Sequence, residues 1–191
     1  MKSNYAFGSI IVWAIPPNKL SGLNRIFDYL QNFFTKMPQT HSSILLHKIV
    51  GTEKYYEFEA STTVRINIYS YNKYSEIYDI KAPYSVKFSA FEKLFNKKYG
   101  KIYNILQTIY FAWRWFFEIL GFDIRKWFNP FGFFGLICSE LIYLYLKEIA
   151  KEMNWTDLYY FLNGWDADNF HAGDVKIVMD FMTVRGYAKM Y

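Results

Sequence analysis

Apolar positions in the first eighty residues follow strand periods, interrupted once by a helical one. The run Gly8-Ser-Ile-Ile-Val-Trp-Ala-Ile15 is apolar and β-branched and stops at Pro16-Pro17, which predicts a buried strand. Leu23, Ile26, Phe27, Leu30 and Phe34 then recur at helical spacing, so Ser21 to Phe34 predicts a helix with Ser21 as its cap. Met37-Pro38-Gln39-Thr40 breaks that pattern before a second apolar run from His41 to Val50. Gly51-Thr52-Glu53 is a turn and Lys54 to Ser61 an extended return, together a hairpin. Thr63 to Tyr69 alternates Val64, Ile66 and Ile68 with polar neighbours, and Ser75 to Ile80 adds a further strand.

Helical spacing takes over afterwards. A short helix is expected from Ser89 to Phe95, and a long aromatic one after Tyr99-Gly100-Lys101-Ile102-Tyr103, reaching about Leu120. Asn129 to Gly135 reads as a loop of glycines and aromatics leading to Cys138. From Ser139 to Met153 the positions Leu141, Ile142, Tyr145, Leu146 and Ile149 share one helical face. A short helix at Thr156 to Leu162 and a closing strand at Asp174 to Asp180 complete the pattern. The class is α+β, and with no repeat or low-complexity linker residues 1–191 are expected to form one domain.

Composition narrows the setting. Hydrophobic residues are 52% and aromatics 23% of the chain, enough to supply a core with aromatic surface left for a groove or contact face. The same abundance of Tyr, Phe, Ile, Lys and Asn fits an AT-rich coding genome. A net charge of +5 is spread over scattered lysines and arginines without a Gly-rich arm or zinc-finger spacing, so no nucleic-acid partner is expected. Met1 to Gly8 has no apolar stretch after a basic segment, hence no secretory signal and synthesis in a cytoplasm. Ile105 to Leu120 and Phe128 to Leu146 are the most apolar stretches, but charges, Pro130 and glycines argue against spans and leave peripheral membrane contact as an alternative.

Cys138 is the chain's single cysteine, which excludes an internal disulfide and any multi-cysteine metal site. At a helix start it gains the dipole that lowers a thiol pKa; otherwise a lone cysteine is a small core residue. Of the three histidines, His41 stands at the mouth of a strand, His47 shares its side by parity, and His171 lies in a polar loop. Glu57 and Glu59 share one face of the returning strand, so either can reach an imidazole opposite or belong to a solvated face. Asp166, Asp168 and Asp174 beside His171 match no calcium or zinc spacing and read as a polar turn, so neither metal nor organic cofactor is expected.

Thr40-His41-Ser42-Ser43-Ile44-Leu45-Leu46, Tyr56-Glu57-Phe58-Glu59-Ala60, Tyr99-Gly100-Lys101-Ile102-Tyr103-Asn104 and Cys138-Ser139-Glu140-Leu141-Ile142 follow one another along the chain. In order and kind they resemble the signatures of permuted NlpC-type papain-like hydrolases, in which the histidine and glutamate strands precede the cysteine helix. Gly8-Ser9-Ile10-Ile11 is similar to the opening Gly-Asp-Ile-Leu strand of that group, with Ser9 in place of the aspartate, and Ser43 stands where the group has a small glycine.

The resemblance spans most of residues 8 to 150. It implies an antiparallel sheet packed on a cysteine-bearing helix, with Cys138 as nucleophile, His41 as base and Glu59, of the Glu59-Ala60 pair, as the residue orienting the imidazole. It further implies hydrolysis of a peptide or isopeptide bond of peptidoglycan, or of an acyl bond, through a thioacyl enzyme. A papain-like scaffold without activity, serving as a binding or phage virion-associated protein, is the competing expectation. Cell-wall or peripheral membrane contact goes with either.

Overall fold

The computed structural model describes residues 5–14, 41–60, 63–69, 73–102, 110, 113–114, 116–117, 120–123 and 137–191. Its frame is a six-stranded antiparallel sheet of β1 (Ile10–Trp13), β2 (His41–Lys48), β3 (Tyr55–Ala60), β4 (Val64–Tyr69), β5 (Ser75–Ile80) and β6 (Ala188–Met190), in the order β4-β3-β2-β1-β5-β6. β1 sits between β2 and β5, which explains its unbroken apolar run: Ile10, Ile11 and Val12 are buried whichever face they point to. The β2–β3 hairpin forms as the turn residues predict. At edge strand β4 the alternating Ile66 and Ile68 stay exposed, because the core on that face ends at Val64.

Four α-helices accompany the sheet among the described residues: α1 (Tyr84–Lys98), α2 (Cys138–Glu152), α3 (Thr156–Asn163) and α4 (Ala172–Val184). The first extends beyond the expected Ser89 to Phe95 at both ends, starting directly after Pro83 at its N-cap. In α2 the residues Leu141, Ile142, Tyr145, Leu146 and Ile149 pack against Ile10, Ile44, Phe58, Tyr78 and Ile80 of the sheet. α1, α3 and α4 surround α2, so it is buried on most of its circumference. Gly8, at φ +78°, leads the chain into β1 directly under this helix; a Cβ there would collide with Tyr145 Oη, which donates to the Gly8 carbonyl at 3.4 Å.

The expected closing strand at Asp174 to Asp180 is instead part of α4. His171 caps it: its Nδ1 accepts from the Gly173 and Asp174 N–H groups, while the Asp174 carboxylate accepts from the His171 N–H. With the start defined, Val175, Val178, Met179 and Met182 fall on one buried helical face. The last strand is the shorter β6, paired to β5. The expected helix from Ser21 to Phe34 and loop from Asn129 to Gly135 lie outside the described residues. Of the expected aromatic helix, Tyr110, Trp113, Arg114, Phe116 and Phe117 are helical.

Candidate active site

His41 opens β2, and its ring reaches diagonally across the sheet to β3. Glu57 faces Leu45, so each glutamate meets the β2 residue two places before its strict partner: Glu57 meets Ser43 and Glu59 meets His41. His41 Nε2 lies 3.1 Å from Glu59 Oε2. The other oxygen of Glu59 is held from β4, where Asn67 Nδ2 donates at 3.0 Å and Arg65 approaches to 3.4 Å. Trp13, directly opposite His41 in the β1–β2 register, stacks on the imidazole at 4.6 Å between centroids, and Tyr69 stacks behind it. The ring plane is therefore constrained on its edge by Glu59 and on its face by Trp13.

Cys138 is the first residue of α2, after Ile137 in an extended conformation. Its backbone N–H belongs to the helix turn that has no intrahelical acceptor, and the positive end of the dipole lies at the sulfur. α2 lies across β2 and brings Cys138 close enough to His41 for each to shift the ionisation of the other, while Glu59 occupies Nε2 of the ring. Ser139, next along, donates to the Phe170 carbonyl and ties the helix start to the cap of α4. Glu140 pairs with Lys98 of α1 at 3.6 Å.

Burial by itself would neutralise both reacting groups. For His41 it is outweighed by the Cys138 charge and hydrogen bond and by Glu59, which together raise the imidazole pKa to about 10. For Cys138 burial opposes ionisation, but the His41 cation, its hydrogen bond and donors from Ser42 bring the thiol below its ordinary range. Each group thus favours the charged form of the other. Cys138 itself is 5% exposed.

The remaining candidates separate from this cluster. Glu57 is buried and accepts from Ser43 Oγ at 2.8 Å; burial, and then the neighbouring Glu59, raise its pKa against the effect of that bond. His47 does not share the face of His41: the register shift between Leu45 and Lys48 interrupts the parity, and its ring packs on Phe7 and Tyr84. His171 and Asp174 form the α4 cap. Among the described residues no group of three or more metal-ligating side chains occurs, and no helix is long and apolar enough to cross a membrane.

The sequence brought Cys138, His41 and Glu59 forward; it missed Trp13, Asn67, Arg65 and Ser42. Parity on β4 puts Arg65 and Asn67 on one face, but pairing that face with Glu59 requires the register Glu59↔Arg65 and Glu57↔Asn67. Trp13 was visible as the last residue of an apolar strand, without anything local to place it opposite His41. The chain matches no protein-family model and no curated protein sequence.

Proposed function

We propose that this chain is a cysteine hydrolase with a papain-like arrangement in permuted order, in which Cys138 is the nucleophile, His41 the acid and base, and Glu59 the orienting carboxylate. The observation that carries this reading is the His41 ring, bonded to a Glu59 carboxylate that is itself fixed from β4, on the strand crossed by the helix that Cys138 begins.

In the proposed reaction the thiolate attacks the carbonyl carbon of an amide or ester, and the carbonyl electrons move to oxygen. The oxyanion takes a hydrogen bond from the N–H of the first turn of α2. His41 gives its proton to the leaving nitrogen or oxygen as the tetrahedral adduct collapses to a thioester. Water then loses a proton to His41 and attacks the thioester, releasing the acid and restoring the ion pair. Peptide or isopeptide bonds of the peptidoglycan kind and acyl bonds are the two substrate classes this chemistry serves.

The 5% exposure of Cys138 favours a second reading, in which the same scaffold binds a partner and the thiol is inert. The pH dependence of iodoacetamide alkylation at Cys138, compared with His41→Ala, separates the two. A thiolate persisting well below the ordinary thiol range, and lost in the variant, is expected for the hydrolase. Substitution of His41 should slow alkylation at pH 6.5 by about 10²–10³-fold. A thiol that reacts only on unfolding, or titrates normally in both proteins, would overturn the hydrolase reading.

A further inference from the structure

Ser75, Trp13 and His41 form one row across β5, β1 and β2, because Trp13 is the register partner of both others. Directly opposed residues share a face of the sheet, and here it is the face of Ile11, Leu45, Tyr55, Tyr69 and Ile77, away from α2. Tyr69 belongs to edge strand β4, and three strands separate β4 from β5. In a flat sheet, four spacings of about 4.8 Å would put the two strands about 19 Å apart. Yet Tyr69 Oη lies 2.8 Å from Ser75 Oγ, and the Tyr69 ring is 6.2 Å from that of Trp13 at an interplanar angle of 18°. The sheet curls until β4 closes over the row that ends in His41, and Tyr69 is buried there.

We propose that Tyr69 is a positioning residue of the candidate active site, whose bond to Ser75 holds the Trp13 indole against the His41 imidazole. This rests on the hydrolase reading, which gives His41 its role. The bond to Glu59 fixes one edge atom of the imidazole, but the terminal torsion of a histidine is broad and the ring can still tilt about that contact. The indole at 4.6 Å and 24° restrains the tilt only if it is itself restrained, and Tyr69 supplies that restraint. Arg65, Asn67 and Tyr69 alternate along β4 and share one face. The same strand therefore holds the imidazole twice, at its edge through Asn67 and Glu59 and at its face through Tyr69 and Trp13.

The test compares the full chain with Tyr69→Phe, Ser75→Ala, the double variant and Trp13→Leu. None of these alters a charged group around His41, which are Glu59 on β3, Arg65 behind it on β4 and Cys138 on α2. Three quantities are read: the rate of Cys138 alkylation by iodoacetamide at pH 6.5, the NMR resonances of the His41 ring protons, and the thermal unfolding midpoint. Trp13→Leu should slow alkylation by about tenfold and move the His41 ring protons downfield, because the ring current of the indole is lost. Tyr69→Phe and Ser75→Ala, which remove the two ends of one bond, should each slow alkylation by about threefold with a smaller downfield shift. The double variant should do no more than either single one.

If Tyr69→Phe and Ser75→Ala lower the unfolding midpoint but leave the ring resonances and the alkylation rate unchanged, Tyr69 only closes the sheet; the proposal fails while the hydrolase reading stands. Additive effects in the double variant would mean that the two hydroxyls act separately, and would overturn it equally. An unsubstituted thiol that titrates normally removes the hydrolase reading, and the positioning role falls with it whatever the variants show.

Discussion

The molecule sets two histidines beside carboxylates and shifts their pKa values in opposite directions. At the β2–β3 site, His41 faces Glu59 and the Cys138 sulfur, and its pKa rises to about 10. At the start of α4, His171 lies 3.6 Å from Asp174, yet burial and then the charge of Arg114 hold it well below the ordinary imidazole range. His41 is the less buried, its side chain 19% accessible against 6% for His171, and the two also differ in where the negative charge is directed. Asp174 is also paired with Arg114 at 3.4 Å, and His171 Nδ1 is occupied as an acceptor of two backbone N–H groups, so that nitrogen keeps its lone pair. His41 has an acceptor at Nε2 and an ionisable thiol as its other neighbour. A histidine serves as a cap in one setting and is held toward its charged form in the other.

Three changes would break or sharpen this contrast, beginning with the largest effect. Arg114 is fully buried, with its guanidinium also over the Trp165 ring at 5.6 Å, so Arg114→Met removes a buried cation from beside Asp174. A loss of about 3–5 kcal/mol in urea unfolding is expected, with the alkylation profile of Cys138 unchanged. A parallel change in that profile would mean that the two sites are coupled.

Glu59→Gln acts at the other site and should do the reverse. Replacing a carboxylate that stabilises the imidazolium by a neutral amide should lower the upper limb of the alkylation profile by about one pH unit, equivalent to about 1.4 kcal/mol. Stability is affected less, because Asn67 and Arg65 retain an amide oxygen to bond. An unaltered pH profile would show that Glu59 has no hold on the charge of His41.

The smallest effect is in the pH dependence of folding. His41, raised from 6.5 to about 10, contributes stability fully below pH 6.5 and loses it as pH rises through about 10. Cys138, lowered from 9.0, contributes fully above pH 9.0 and loses it as pH falls through its folded value. The two slopes oppose each other between pH 6.5 and 9.0, because folding leads the imidazole to bind a proton where the thiol gives one up. The stability difference between the unsubstituted protein and His41→Ala should therefore be level across that window and decline on both sides. Equilibrium unfolding at a series of pH values measures this, and a steady slope through the window would exclude the ion pair.

Local patterns marked the strands, the helix beginning near Cys138 and the α+β class, because strand and helix periods follow from backbone geometry within a few residues. Asp174 to Asp180 was misread for the same reason. Val175, Ile177, Val178 and Met179 suit a short strand as well as a helix, and the decisive signal was the His171 and Asp174 capping box just outside the run.

What the sequence could determine alone was which residues share a face: Glu57 with Glu59, Arg65 with Asn67, and Ser42 away from His41. It could not determine which of them meet, since that depends on the register between strands and on where α2 crosses the sheet. The diagonal pairing sends Glu59 to His41 and Glu57 to Ser43, the β1–β2 register lays Trp13 on the imidazole, and the crossing of α2 over β2 brings Cys138 to His41. Faces are a property of one strand; partners are a property of several, and only packing the core against α2 selects among the registers that parity allows.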